Sequence, residues 1–337
     1  MTKIDIISGF LGAGKTTLIK NLLSNALKGQ QVVLIENEFG EIGIDGGFLK
    51  ESGIEIREMN SGCICCSLVG DFGTALTEVI EKYHPDRIII EPSGVGKLSD
   101  VIHAVEGVKT DSDVELNSAT TVVDVTKCKM YLRNFGEFFK NQVEAAGTII
   151  LSRTDTEKAT EEKVETAVKL IRELNPDAAV ITTPVNELDG KKLLDTIEGV
   201  KIDLSHIEEE DHDHEHCSHE HHHDHEHHHD HDHEHCGHDH HHHHADEVFT
   251  SWGRETIKKF DKDEIHTILG RLSGEDGFGT VLRAKGMVEG KDGKWIYFDM
   301  VPGEADVRDG DPEYTGRICV IGSELAEDQL AEAFGVA

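Results

Sequence analysis

No stretch of this chain approaches the ~18 consecutive apolar residues that a membrane-spanning helix requires. Its longest apolar runs are only strand-length. Met1–Ser8 lack the form of a secretory signal: one early lysine precedes Asp5, which breaks the apolar run, and a glycine-rich pattern follows at once. A soluble, cytoplasmic protein with no membrane partner is expected. Basic residues are scarce as well: 33 Lys and Arg face 66 Asp and Glu, a net charge of −33. This argues against a nucleic-acid partner, because neutralising phosphates takes clustered Lys and Arg. Seven cysteines in an intracellular chain suggest free thiols or metal ligands rather than a disulfide framework. No internal repeat is visible.

What is present divides by composition. A length of 337 residues suggests about two domains, and a hydrophobic content of 37% suffices for a sizeable core. Residues 1–204 alternate apolar, β-branched runs (Ile4–Ile7, Val32–Ile35, Arg87–Ile90, Thr120–Val125, Thr148–Leu151, Ala179–Thr182) with helical patterns (Lys15–Leu27, Asp71–Tyr83, Glu161–Leu174, Lys191–Glu198). This alternation predicts an α/β domain with a mostly parallel sheet covered by helices on both faces. Residues 205–246 are low in complexity and cannot bury a core, so a disordered linker is expected. His206–Asp246 holds 14 acidic residues and no Lys or Arg; the remainder, 33 basic against 52 acidic residues, is still acidic. Residues 247–337 regain globular texture and predict a small α+β domain. Its strands are expected at Gly279–Met287, Lys294–Met300 and Arg317–Ile321, with a turn at Gly290–Gly293. A last helix, capped by Ser323, is expected to run to Phe334.

Gly9-Phe10-Leu11-Gly12-Ala13-Gly14-Lys15-Thr16 fits GxxxxGK[ST] between an apolar strand and a helix, the context that a phosphate-binding loop requires. The glycines let backbone N–H groups converge on phosphate oxygens, and the helix N-terminus adds partial positive charge. Gly12, Ala13, Gly14, Lys15, Thr16 and Thr17 are the expected nucleotide contacts. Lys15 would reach the β- and γ-phosphates, and the Thr16 hydroxyl would hold Mg²⁺. The fold expected is that of a P-loop NTPase.

Ser152-Arg153-Thr154-Asp155 follows the strand Thr148–Leu151 and resembles the [NS]KxD guanine-reading motif. A carboxylate at Asp155 can accept from guanine N1–H and its exocyclic amine, a donor pair that adenine lacks. Arg153 stands where lysine is usual, and its stem could cover the face of the base. The other reading is a polar loop capping the next helix. Glu91, at the end of the strand Arg87–Ile90 and heading Glu91-Pro92-Ser93-Gly94, is expected beside Mg²⁺ and the attacking water. Lys15 and Glu91 are therefore the catalytic candidates.

Cys63, Cys65 and Cys66 place three soft thiolate donors within four residues, suited to zinc or copper(I), just ahead of a helix start that favours the thiolate. A redox or lipidated cluster, or simply buried thiols, is the alternative. Glu36-Asn37-Glu38-Phe39-Gly40-Glu41 also follows a strand, and Glu36 or Glu38 could ligate either Mg²⁺ or the thiol-bound metal; a solvated acidic loop remains open. His206–His244 contains 21 histidines with Cys217 and Cys236. Imidazole suits zinc, copper, nickel and cobalt alike, and such redundant ligands suit capture or buffering. A spacer that binds metal incidentally is the plain alternative. The tract starts to gain charge and lose metal affinity near the ordinary histidine pKa of ~6.5. His84, His103 and His266 read as structural, and Cys128 and Cys319 as ordinary thiols.

Together these segments resemble the CobW-type GTPases, relatives of the nickel-insertion GTPases that serve urease and hydrogenase. The resemblance rests on GFLGAGKTT (Gly9–Thr17), ENEFG (Glu36–Gly40), GCICC (Gly62–Cys66), EPSG (Glu91–Gly94) and SRTD (Ser152–Asp155). VLRAKG (Val281–Gly286), Trp295 and CVIG (Cys319–Gly322) extend it into the last segment. It covers essentially the whole chain. It implies GTP hydrolysis with Mg²⁺, a CxCC site for zinc or cobalt, and delivery of metal to a client metalloprotein. Ser152-Arg153 departs from the family's asparagine and lysine. No built-in arginine finger is evident, so slow intrinsic turnover is expected. Three rivals stay open: delivery of cobalt or nickel, including towards cobalamin; a metal buffer or store; and an ATP-using kinase, against which Asp155 speaks. A homodimer is one assembly open to the chain.

Overall fold

The computed structural model describes residues 1–36, 55–58, 69–108, 114–200, 202, 248–274 and 277–336. The acidic histidine tract, Cys63–Cys66 and Glu38 lie outside the described residues.

The first sheet comprises β1 (Thr2–Gly9), β2 (Val32–Glu36), β3 (Glu55–Glu58), β4 (Arg87–Glu91), β5 (Val114–Asp124), β6 (Thr148–Ser152) and β7 (Ala179–Ile181), in the order β3-β2-β4-β1-β5-β6-β7. Every pairing in it is parallel. The central strands carry almost unbroken apolar runs because both faces are covered. On one face, α1 (Lys15–Asn25) and α7 (Gly190–Glu198) bury Leu18, Ile19, Leu22, Leu193 and Ile197. On the other lie α2 (Val69–Tyr83), α3 (Leu98–Glu106), α5 (Gly136–Glu144) and α6 (Glu161–Leu174), with α4 (Cys128–Asn134) leading into α5. Asp189 caps α7 by accepting from the N–H groups of Lys191 and Lys192.

Asp5, which breaks the first apolar run, is buried inside β1. It is ion-paired with Arg87 of β4 and accepts from Ser118 and Asn117 at the start of β5. Glu198 at the end of α7 holds the other side of the same guanidinium. This network sits at the sheet edge away from the phosphate loop.

The second sheet is antiparallel, with the order β11-β10-β9-β12-β8: β8 (Thr250–Thr256), β9 (Thr280–Glu289), β10 (Trp295–Val301), β11 (Glu304–Gly310) and β12 (Gly316–Ser323). Helices α8 (Lys262–Leu272) and α9 (Glu327–Phe334) pack on it around Trp252, Phe260, Leu269, Phe298 and Phe334. Ser323 does not cap the last helix. It ends β12, and α9 starts after Ala326 with no side-chain cap, because pairing with Thr280 extends the strand through Ser323.

One apolar cluster is shared between the two sheets, beside the second sheet's own core. Leu282, Cys319 and Ile321 of the second join the cluster that lines the first, and Phe249 enters it next to β8. Phe249 packs at 5.1 Å from the Phe138 ring, 5.4 Å from Phe135 and 6.4 Å from Phe10. Phe249→Ala is expected to cost about 3–5 kcal/mol in urea denaturation, whereas replacing the fully exposed Tyr314 should cost under ~0.5 kcal/mol. Equal small losses would contradict a shared core.

Candidate functional site

Parallel pairing brings the carboxyl ends of β2, β4, β1, β5 and β6 to one edge, and the loops leaving that edge carry most of the candidate residues. β1 delivers Gly9 with φ +141°, where a Cβ would collide with the Val122 carbonyl of β5. Only glycine fits there without displacing backbone. Gly12 and Gly14 also have positive φ, at +68° and +104°, and Gly14 is the N-cap of α1 with no side chain in the way. The Gly9–Thr16 backbone thus wraps the positive end of α1 as an anion cradle.

Lys15 is buried and its ammonium donates to the Gly9 carbonyl at 3.0 Å, with Glu91 Oε1 at 3.9 Å. The Thr16 hydroxyl lies 3.4 Å from each oxygen of Glu91. A hydroxyl and a carboxylate converging beside a phosphate cradle are the donor set expected for Mg²⁺. Glu36 ends β2 directly opposite Glu91 in register, 5% exposed. Ala13 is buried and Thr17 faces solvent.

The loop rests on a built seat. Phe10 stacks 4.3 Å from Tyr131 and 5.6 Å from Phe135, and the Tyr131 hydroxyl donates to the Leu11 carbonyl at 3.4 Å. The Glu91-Pro92-Ser93-Gly94 turn presses against it: a Cβ on Gly94 would come within 2.9 Å of the Leu11 nitrogen. Gln142 of α5, 1% exposed, holds that turn by donating to the carbonyls of Gly94 (3.2 Å) and Gly96 (2.8 Å).

On the other side stand Ser152, Arg153, Thr154 and Asp155. Ser152 ends β6 beside Asp124, and Asp155 is exposed. Arg153 adopts φ +60°, a left-handed conformation that costs a non-glycine residue roughly 1–2 kcal/mol. It turns the side chain back over the loop. Its Nη2 donates to the Gly12 carbonyl at 3.2 Å, its Nε lies 3.1 Å from Asp124, and its Nη1 lies 2.5 Å from Glu304. Burial works against the guanidinium charge, but Glu304 and Asp124 outweigh it and hold the pKa above the usual arginine value. Burial lowers the Lys127 pKa, although Asp124 at 3.9 Å acts the other way. Burial, reinforced by Asp124, pushes the Cys128 thiol up to about 12, which removes it from the pool of thiolate ligands at neutral pH.

Cys63, Cys65, Cys66, Glu38 and the His206–His244 tract fall outside the described residues. β3, parallel to β2, ends at the same edge as the phosphate loop, and the three cysteines follow it in the chain before α2. Among the described residues, no three His, Cys, Asp or Glu side chains are grouped to hold a metal ion. No helix among them is long and apolar enough to cross a membrane. Gln142, Tyr131 and Glu304 escaped the sequence reading. Their partners are backbone carbonyls or residues 120 or more positions away, or in Gln142's case 46 and 48, which no local pattern records.

A family model described as the CobW/HypB/UreG nucleotide-binding domain matches residues 3–182, and one described as the cobalamin synthesis protein cobW C-terminal domain matches residues 249–337. The zinc chaperone CobW of Sinorhizobium sp. is 38% identical over 178 residues, covering 44% of this chain and 50% of that protein. The zinc chaperone YeiR of Escherichia coli K12 is 29% identical over 193 residues, covering 57% and 58%. The zinc-regulated GTPase metalloprotein activator 1 of Dictyostelium discoideum is 27% identical over 231 residues, covering 57% and 48%. The chain thus spans about half the length of these curated relatives. The solved Zn(II)-bound YjiA GTPase from E. coli aligns over 99% of this chain and 98% of its own, at 21% identity and a TM-score of 0.42.

Gln142→Leu leaves two buried carbonyls without a donor, so it is expected to cost about 1–3 kcal/mol in denaturation. It should also weaken nucleotide binding, because the turn that bears Glu91 loses its tether. Unchanged nucleotide affinity in a destabilised variant would show that the tether serves folding alone.

Proposed function

The chain belongs to the CobW/HypB/UreG family of nucleotide-binding proteins, and on that premise we propose that it is a GTP-hydrolysing metallochaperone carrying zinc to client metalloproteins. The observation that carries this reading is the convergence of Lys15, Thr16 and Glu91 on the Gly9–Thr16 cradle. The strand that leads towards Cys63–Cys66 ends at the same edge. The names of the curated relatives, zinc chaperones and zinc-regulated GTPase activators, support zinc as the cargo.

In this reading, the backbone of Gly12, Ala13 and Gly14, with Thr17, receives the phosphates. Lys15 leaves the Gly9 carbonyl to meet the β- and γ-oxygens. Thr16 and Glu91 would hold Mg²⁺, which when bound would supply positive charge against the phosphate oxygens. Glu91 also orders the attacking water. On the base side, Asp155 accepts from the guanine edge and the Arg153 stem covers its face. Cys63, Cys65 and Cys66 take zinc as three thiolates, with Glu36 or Glu38 able to complete either metal's shell. Loss of the γ-phosphate would relax the segments that contact it and weaken the hold on the ion, so that the ion passes to the client. A second reading, a metal buffer or store, draws on the 21 histidines of His206–His244. Cobalt or nickel cargo follows from the same donors if those ions bind the thiols more tightly in the assay below.

Lys15→Ala is expected to lower GTP turnover by about a hundredfold or more while zinc binding persists. Hydrolysis at the wild-type rate would sink the site assignment. Competition by GTP but not ATP in the same assay tests the base reading. Loading with zinc, cobalt and nickel in turn tests the cargo. Removal of residues 205–246 should leave turnover intact for a chaperone and abolish the cellular role of a buffer.

A further inference from the structure

Apart from the shared apolar cluster, the second sheet meets the phosphate loop through the β10–β11 hairpin. β10 and β11 are joined by Pro302-Gly303, with Gly303 at φ +82°, a two-residue turn whose proline and glycine match the backbone it needs. The turn's flanking residues, Val301 and Glu304, pair with each other and both face the nucleotide edge of the first sheet. Val301 packs so closely on Gly12 that a Cβ there would strike its Cγ1. Lys158, in the loop after Asp155, donates to the Gly303 carbonyl at 3.0 Å. Glu304 meets Arg153 Nη1 at 2.5 Å.

The Arg153 fork thereby meets three different parts of the chain: Nη2 donates to the Gly12 carbonyl, Nη1 is ion-paired with Glu304, and Nε lies 3.1 Å from the Asp124 carboxylate as a charge contact without hydrogen-bond geometry. A free arginine side chain samples many rotamers, and a planar fork held by separate parts of the chain has already lost much of that freedom before any ligand arrives. Two of those anchors belong to the nucleotide-binding domain itself. The third belongs to the other domain.

We propose that Glu304 is a positioning residue for nucleotide binding: acting through Arg153, it lets the second domain's β10–β11 hairpin preorganise the base side of the phosphate loop, so that nucleotide occupancy and docking of that hairpin are coupled. This rests on the GTP reading above. Without Glu304, Arg153 keeps Asp124 and Gly12 but loses the contact that ties its guanidinium to the second domain. The nucleotide must then order the side chain as it binds. By linkage, bound nucleotide holds the hairpin down as strongly as the hairpin favours nucleotide.

The test uses full-length protein and a fluorescent GDP and GTP analogue. Glu304→Gln keeps shape and removes charge; Glu304→Asp keeps charge and shortens reach. Glu304→Gln is expected to raise the Kd for GDP and GTP about fivefold, with kcat changed by less than about twofold and the KM raised in step with Kd. Glu304→Asp should recover part of the loss. In an Arg153→Ala background, Glu304→Gln should add nothing further, since the contact is already gone. Hydrogen exchange of the Val301, Gly303 and Glu304 amides should slow when GDP binds the wild type and should not slow in Glu304→Gln; equal slowing in both overturns the coupling. An unchanged Kd in Glu304→Gln, or a full additional loss in the Arg153→Ala background, overturns the inference while leaving GTP binding standing. A wild type that binds neither GDP nor GTP overturns the GTP reading itself, and this inference with it.

Discussion

Parallel strand pairing forces every strand of the first sheet to end at the same edge, and the candidate chemistry depends on that constraint. β1 and β4 lie side by side, so the lysine that opens α1 and the glutamate that ends β4 stand 3.9 Å apart. β2 pairs with β4 in a register that sets Glu36 against Glu91. β5 and β6 bring Asp124 beside Ser152 on the opposite side of the loop. A shift of one residue in any of these pairings would turn the end residue to the other face of the sheet. The antiparallel pairing of the second sheet imposes no such convergence; it contributes apolar side chains to the shared cluster and, through the turn between β10 and β11, polar contacts to the phosphate loop.

That turn changes how the two domains relate. Phe249 is buried among Phe10, Phe135 and Phe138, while Val301 packs on Gly12 and Glu304 pairs with Arg153. The loop is therefore in contact with two separate parts of the second domain, through Phe10 and through Gly12. A change in the position of either contact alters the seat on which phosphate would be received. This gives a physical route by which events around a nucleotide and events at the far domain can share free energy, without a separate wire of residues.

Much of this was legible in the chain itself, for identifiable reasons. The phosphate loop shows because its spacing and its strand-to-helix context are both local. The buried strands of the first sheet show because both faces are apolar. β8 (TSWGRET) and β11 (EADVRDG) do not read as strands: they are the edges of their sheet, largely exposed, and edge strands carry polar and charged residues rather than clean alternation. The predicted β5 began at Thr120, whereas the strand starts at Val114, where Asn117 and Ser118 serve the Asp5–Arg87 network instead of the core. Asp5 looked like a break in an apolar run and is instead a buried ion-pair partner. Ser323 had a capping residue's identity, but strand pairing claimed it first. The roles of Gln142, Phe249 and Glu304 arise only from tertiary contact.

The central claim is that the nucleotide at Gly9–Thr17 and the metal at Cys63, Cys65 and Cys66 are linked. The most direct measurement is the zinc affinity of full-length protein, by competition with a calibrated chelator, when saturated with GDP and when saturated with a non-hydrolysable GTP analogue in the presence of Mg²⁺. The account predicts affinities that differ by about fivefold or more between the two nucleotide states, a difference lost in a Cys65→Ser, Cys66→Ser variant. Equal zinc affinity in both states would contradict it, and would leave nucleotide and zinc binding independent of each other.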